Sequence, residues 1–165
     1  MKNRLNSPHG LNAKGIGPKI FRNTMPFLIA AIAGSLLFPS ALSFPGSADN
    51  ILRLTGWIML FVGIIAYVVT LRQFIKDFSK GKLITNGIFG LSRNPLYASW
   101  ILFILPAIAF ITDNWSFLFA PVAMYVFFVL NIKEEEESLK QIFGEKFDEY
   151  CKRVNRLIFI PKFIK

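Results

Sequence analysis

The stretch ILRLTGWIMLFVGIIAYVVTLRQF, residues 51–74, decides the fold class of this chain. Its only charged residues, Arg53 and Arg72, lie near its two ends, where long side chains can reach out of a bilayer. About 20 consecutive apolar residues are enough for an α-helix to cross the hydrocarbon core of a membrane. The stretch therefore predicts a transmembrane helix.

Three further apolar runs lie on either side of this stretch. The chain has 165 residues, of which 53% are hydrophobic, and its mean hydropathy of +0.47 is too high for an ordinary soluble domain. The run at 96–111 is short and contains Pro106, which predicts a kink or a cavity-lined region. We predict an all-α integral membrane protein with about four transmembrane helices, over residues 25–44, 51–74, 96–111 and 115–132.

Basic residues are concentrated in the connections on one predicted side of the membrane. Both termini are basic, and the link between the second and third runs contains Lys76, Lys80, Lys82 and Arg93. The other two links contain few lysines or arginines, so the positive-inside rule places both termini in the cytoplasm. Residues 1–24 carry no acidic residue and are expected to be a basic tail that sets this orientation. The net charge of +9 flanks apolar runs, so it does not indicate nucleic-acid binding.

The chain after the fourth run predicts a cytoplasmic amphipathic helix. Apolar residues recur at helical spacing from Leu139 to Val154, and Gly144 predicts a break among them. Glu136 and Lys140 are spaced as an i,i+4 ion pair. The chain contains one cysteine and one histidine, so neither an intrachain disulfide nor a histidine-rich metal site is expected. Residues 25–165 are expected to form a single membrane-embedded domain.

Polar residues stand at the start of the third run, in GIFGLSRNPLYASW at 87–100. Asn94 and Pro95 suit the cap and the first turn of a helix, so an ordinary helix start is enough to explain them. It does not explain Arg93 and Tyr97 as well. The position of Tyr97 places its ring or hydroxyl over the helix start, where it can contact a ligand.

Two charged clusters follow on the same predicted face. Four glutamates at 134–137 suit a cationic group or ribose hydroxyls, although a solvated helix start is also consistent with them. The basic residues Lys152, Arg153 and Arg156 suit a ligand carboxylate or anionic lipid head groups. With the aromatic residues, they predict a pocket that a charged cofactor enters from water and a lipophilic substrate enters from the bilayer.

Two motifs stand in order beside the last two runs. The first, Gly-x-aromatic-x-x-x-Arg-Asn-Pro-x-Tyr, consists of Gly87, Phe89, Arg93, Asn94, Pro95 and Tyr97. The second begins with Glu-Glu-x-x-Leu and consists of Glu135, Glu136, Leu139, Phe143, Gly144, Phe147, Tyr150, Val154 and Arg156. In order and spacing, residues 82–161 resemble the membrane methyltransferases of the isoprenylcysteine carboxyl methyltransferase and phospholipid methyltransferase type.

The resemblance implies an S-adenosylmethionine-dependent methyltransferase that acts on a lipophilic or lipidated acceptor at the cytoplasmic face. Residues 133–165 would complete the cofactor site, in which Glu136 and Arg156 would be catalytic and Arg156 would face the acceptor. The implied cofactor-binding residues are Arg93, Asn94, Pro95, Tyr97, Glu135, Glu136 and Leu139. Transfer to a carboxylate needs no general base, so positioning and desolvation would supply most of the rate. Membrane lipids are expected partners, and the oligomeric state stays open.

One departure from the family pattern and two alternative functions affect this prediction. Asn94 stands where the family usually has histidine, which removes any charged-histidine role and leaves the acceptor open. A sterol-reductase family with a similar Arg-x-Pro-x-Tyr element uses NADPH, but the acidic run argues against a 2′-phosphate pocket. The non-enzymatic alternative is a membrane protein that binds anionic lipid or a partner through its basic tail and amphipathic helix.

Overall fold

The computed structural model describes residues 15–45, 50–78 and 80–159, and these residues form helices and turns without a β-sheet. We name the helices α1 (Gly17–Leu37), α2 (Asn50–Phe78), α3 (Pro95–Ile111), α4 (Phe119–Phe143) and α5 (Glu145–Arg153). Short 3₁₀ turns at Gly87–Gly90 and Trp115–Leu118 precede α3 and α4. The all-α architecture predicted from the apolar runs is confirmed.

Three of the helices are long and apolar enough to cross a membrane: Gly17–Leu37, Asn50–Phe78 and the segment Trp115–Phe143. The apolar helix α3 is shorter and spans Pro95–Ile111. Large apolar side chains such as Leu36, Ile51 and Leu130 are mostly exposed, as expected for a surface in contact with lipid. The protein is therefore an integral membrane protein, and its described residues contain three long candidate spans and a fourth, shorter apolar helix.

Helix α1 begins at Gly17, whereas the composition of residues 1–24 predicted a tail followed by a span from residue 25. Pro18 occupies the first turn, where its missing N–H leaves no bond unmade. Ile16, Ile20 and Thr24 are buried at intervals of four residues against the rest of the bundle. This four-residue spacing of buried side chains extends the helix back to Gly17. The surrounding Gly, Asn and Pro residues make the spacing hard to recognise in the sequence. The remainder of the predicted tail, with His9, and the residues after 159 lie outside the described residues.

Two helix pairs form the bundle, since α1 packs along α4 and α2 packs along α3. The buried residues of α2 are small and lie seven residues apart: Gly56, Gly63 and Thr70. A Cβ on Gly63 would lie 2.7 Å from the Cβ of Phe103, so glycine is what lets the two helices approach. The core beside the other pair contains Ile20, Met124, Phe128 and Ile132.

Helix α3 is interrupted by a π-helical turn at Trp100–Ile104. Pro106 has no N–H to donate to the carbonyl of Leu102, so regular α-helical bonding cannot continue through this segment. The predicted kink at this proline is thus a widened turn. Trp100 is the first residue of this turn.

Candidate active site

A cavity of about 470 Å³ lies at the end of the bundle where α1 and α3 begin and where α2 and α4 end. Its walls are largely apolar and include nine aromatic residues: Phe21, Tyr67, Phe74, Phe78, Phe89, Tyr97, Trp100, Phe143 and Tyr150. A smaller group of polar side chains also lines it: Lys82, Arg93, Asn94, Glu134, Glu135 and Ser138. An apolar cavity with a few convergent polar groups is the usual form of a small-molecule site.

The structure brings most of the predicted site residues to this one cavity. The residues of that set that line it are Arg93, Asn94, Pro95, Tyr97, Glu135 and Leu139. The two motifs are separated by about 40 positions of apolar sequence and meet at this cavity. Glu136 and Arg156 do not line the cavity.

Asn94 connects the two motifs to each other. It stands at the N-cap of α3, yet its side chain makes no capping bond, contrary to the simple helix-start interpretation. Its Nδ2 atom instead donates to the carbonyl of Arg156 at 3.0 Å, and the backbone N–H of Arg93 donates to the carbonyl of Asn155 at 2.8 Å. These bonds hold the segment after α5 against the start of α3.

Glu136 is shared by two arginines. Its Oε1 atom lies 3.0 Å from Nη1 of Arg93 and accepts from Nε of Arg156 at 2.9 Å. The Glu136 side chain is only 17% exposed, and its hydrogen bond is the main reason that the pKa of the Arg156 guanidinium is raised. The sequence predicted an i,i+4 pair with Lys140, but Lys140 pairs with Asp148 across the α4–α5 break. Glu136 therefore binds the arginines of both motifs.

Three polar atoms of cavity-lining residues are buried and have no hydrogen-bond partner among the described residues: Nε of Arg93, Nε1 of Trp100 and Oε2 of Glu135. An unpartnered buried polar atom is costly and calls for an explanation. Two of these atoms are donors and one is an acceptor. Their side chains therefore bring unpaired donors and an unpaired acceptor to the wall of the cavity.

Several lining residues were not predicted from the sequence. Trp100 is packed edge-on by Phe21, with ring centroids 5.1 Å apart, and by Tyr67 at 6.0 Å. Trp100 is three residues after Tyr97, so helical spacing could have indicated it. Phe21 and Tyr67 come from α1 and α2, outside both motifs, and no local signal marks them.

Tyr150 fixes the α5 wall of the cavity. Its hydroxyl donates to the carbonyl of Phe89 at 2.6 Å, which links α5 to the 3₁₀ turn of the first motif. Burial raises the pKa of this phenol, so it remains the protonated donor that this bond requires. Phe147 and Val154 are buried beside it, on the apolar face of the predicted amphipathic helix.

A family model described as phospholipid methyltransferase matches residues 50–146, more than half of the chain. This chain belongs to the phospholipid methyltransferase family. The resemblance drawn from the two motifs is thereby confirmed.

Curated relatives match the motif region. "Protein-S-isoprenylcysteine O-methyltransferase B" of Arabidopsis thaliana is 32% identical over 73 residues, which cover 44% of this chain and 37% of that protein. "Protein-S-isoprenylcysteine O-methyltransferase" of Dictyostelium discoideum is 32% identical over 72 residues, which cover 44% of this chain and 30% of that protein. The matches thus span well under half the length of these relatives.

A solved structure of a membrane methyltransferase shares the fold. It is the eukaryotic intramembrane Ras methyltransferase, isoprenylcysteine carboxyl methyltransferase, which superposes with a TM-score of 0.65 at 18% identity. The match covers 86% of this chain and 52% of that one. Residues 15–45, including α1, lie outside the family model but inside the described bundle.

Proposed function

We propose that this protein is an S-adenosylmethionine-dependent methyltransferase whose acceptor is a lipophilic or lipidated molecule ending in a carboxylate, such as a prenylated cysteine. One observation carries the proposal. An aromatic cavity at the end of a membrane bundle combines an unpartnered carboxylate oxygen with an unpartnered guanidinium nitrogen. Membership of the phospholipid methyltransferase family and the likeness to isoprenylcysteine O-methyltransferases support it.

The residues of the cavity fit the groups that this cofactor carries. Oε2 of Glu135 can accept from its ammonium group or its ribose hydroxyls, and Nε of Arg93 can donate to its carboxylate. Aromatic faces such as Tyr97 and Tyr150 suit an adenine ring and a sulfonium cation. When bound, the cofactor supplies an electrophilic methyl group.

The chain's own residues would position the cofactor and the acceptor and would exclude water from the site. The aromatic walls exclude water, which strengthens the interactions of the few charged groups inside. Arg93 and Arg156 share one carboxylate, so this cluster keeps one excess positive charge beside the cavity. We propose that this charge orients an acceptor carboxylate. Arg156, whose side chain is 40% exposed, would lie on the acceptor's side. An ionised carboxylate attacks without losing a proton, so no residue is required as a general base.

We also propose that the cavity faces the cytoplasm and that both termini lie there. Lysines and arginines lie around the cavity end, including Lys19, Lys76, Lys80 and Lys82, whereas Asp113 lies at the other end of the bundle. This distribution supports the orientation through the positive-inside rule. Membrane lipids and a lipidated acceptor are the partners that such a site would meet.

Calorimetric titration of the detergent-purified protein with S-adenosylhomocysteine tests the cofactor. We expect micromolar binding that Tyr97→Ala abolishes, whereas NADPH should not bind. Binding of NADPH alone would favour the reductase alternative. Failure of both to bind would favour the lipid-binding or partner-binding alternative.

The acceptor is tested with an S-prenylated N-acetylcysteine and its carboxamide, using methyl-labelled cofactor. We expect labelling of the free acid alone and release of the label as methanol in mild base, because the product is an ester. Label that resists base would indicate transfer to nitrogen or sulfur and would overturn the carboxylate assignment.

A further inference from the structure

A turn at Gly15–Gly17 closes one side of the cavity, although it lies outside the part of the chain that the family model matches. All three of its residues line the cavity. The turn leads directly into α1, which packs along α4, the helix that carries Glu135. We call it the N-terminal turn.

Gly15 suits this turn for two independent reasons. Its φ of +47° is a left-handed conformation that residues with a side chain rarely adopt. A Cβ at this position would also lie 3.1 Å from Oε1 of Glu135 and 3.2 Å from Oε2. The backbone of the turn therefore approaches the Glu135 carboxylate closely.

Ile16 holds the Glu135 carboxylate in place. Its backbone N–H donates a hydrogen bond to that carboxylate, and its side chain is only 9% exposed, packed in the core with Ile20 and Ile132. The amide is thus anchored by a buried side chain. Because Oε2 of Glu135 has no partner among the described residues, the turn fixes the group while that oxygen stays unpaired.

We propose that the N-terminal turn is a component of the cofactor site, in which Ile16 positions Glu135 and Gly15 allows the contact. The inference rests on the proposed function, since it takes Glu135 as a cofactor-binding residue. It adds an element that neither sequence motif contains. Ile16 and Gly15 act through Glu135, so they are positioning residues and should affect cofactor affinity more than acceptor affinity.

The test compares Gly15→Ala with Gly34→Ala. Gly34 lies in α1 and does not line the cavity, and a Cβ there would meet only the flexible end of Leu42, at 3.1 Å. Only Gly15→Ala therefore adds a side chain at a positive φ and presses on Glu135. We expect Gly15→Ala to weaken S-adenosylhomocysteine binding by about tenfold, as for a misaligned charged hydrogen bond, while Gly34→Ala binds like the wild type.

A second readout does not depend on the ligand. Hydrogen exchange of the Ile16 amide should be slow in the wild type and faster in Glu135→Ala, because that variant removes the acceptor. If wild-type and Glu135→Ala proteins exchange this amide equally fast, the positioning contact is absent and the inference fails.

The outcomes separate this inference from the proposed function. If the wild type binds S-adenosylhomocysteine and both glycine variants bind it equally well, the N-terminal turn has no role in the site and only this inference is overturned. If the wild type does not bind, the proposed function fails first and the assignment of the turn to a cofactor site fails with it. Weaker S-adenosylhomocysteine binding confined to Gly15→Ala, together with faster hydrogen exchange of the Ile16 amide in Glu135→Ala, supports both this inference and the proposed function.

Discussion

Glu135 and Glu136 are adjacent carboxylates that the fold places in different surroundings. Glu136 binds Arg93 and Arg156, while Glu135 lines the cavity and accepts from the backbone of Ile16. Successive residues of a helix point in directions about 100° apart, so adjacent side chains meet different surroundings. At the scale of single residues, Glu135 is the candidate ligand-binding residue, and Glu136 links Arg93 to Arg156.

Glu136→Gln should therefore destabilise the protein. The Arg93 side chain is 10% exposed, and the change would leave its charge with a neutral partner. We expect a loss of about 1–3 kcal/mol of unfolding free energy, below the value for a fully buried pair because Arg156 is partly solvated. Thermal unfolding in detergent measures it, with the exposed Glu137→Gln as the control. A variant as stable as the wild type that no longer binds S-adenosylhomocysteine would make Glu136 a direct ligand instead.

Trp100→Phe separates hydrogen bonding from packing. The change removes the buried, unpartnered Nε1–H and keeps an aromatic ring between Phe21 and Tyr67. Loss of one neutral hydrogen bond to a ligand should weaken cofactor or acceptor binding by about 2–10-fold, with stability unchanged or higher. Calorimetry and the acceptor's KM measure the two affinities. Trp115→Phe, at the far end of the bundle, should change neither, and a Trp100→Phe protein with both affinities intact would exclude Trp100 from ligand binding.

At the scale of the elements, glycine spacing on α2 sets how closely α2 and α3 approach. Gly56 and Gly63 face Ile111 and Phe103, and a Cβ at either position would lie within 3 Å of a side-chain carbon. This contact positions the π-turn from which Trp100 enters the cavity. The site therefore depends on a helix pairing at residues that do not touch it.

Gly63→Ala tests this pairing. Alanine is the better helix former by about 1 kcal/mol, but overpacking against Phe103 should outweigh this and cost about 1–3 kcal/mol net. Gly34→Ala in α1 is the matched control, because its Cβ would meet only the flexible end of Leu42, at 3.1 Å. We expect Gly34→Ala to be neutral or stabilising in thermal unfolding. Equal stability of the two variants would show that α2 and α3 can separate without cost.

At the scale of the whole molecule, the charge distribution and the cavity coincide. The cavity opens at the end of the bundle that carries most of the described lysines and arginines. At the other end, the N–H of Trp115 donates to the carbonyl of Leu42, which joins the segment after α1 to the turn before α4. Basic residues at one end would hold that end on the cytoplasmic side during insertion. The same end can then meet a water-soluble cofactor.

Reporter fusions test this orientation. We expect a fluorescent protein fused after the C-terminus to be fluorescent and an alkaline phosphatase fused there to be inactive, since only the former matures in the cytoplasm. A phosphatase placed in the 112–114 link should be active. The reverse pattern would place the cavity on the non-cytoplasmic side and contradict the proposed entry of the cofactor.

Much of this architecture followed from local chemistry. Apolar length predicted the helices, and Gly144, with its positive φ, ends α4 where the sequence predicted a break. The predicted topology placed Arg93, Tyr97 and Glu135 on one face of the membrane and the resemblance implied one shared site, and all three residues line the cavity. The helices and the break depend on residues close in sequence, so composition and period are enough to indicate them.

Other features were decided by contacts between distant residues. The sequence by itself determined a basic, all-helical membrane protein with two motifs beside its last apolar runs. Only the tertiary structure distinguished Glu135 from Glu136, moved Arg156 out of the cavity lining and brought the N-terminal turn against Glu135. The physical reason is that adjacent carboxylates are chemically identical until folding gives one of them two guanidinium groups and the other a backbone amide and a cavity.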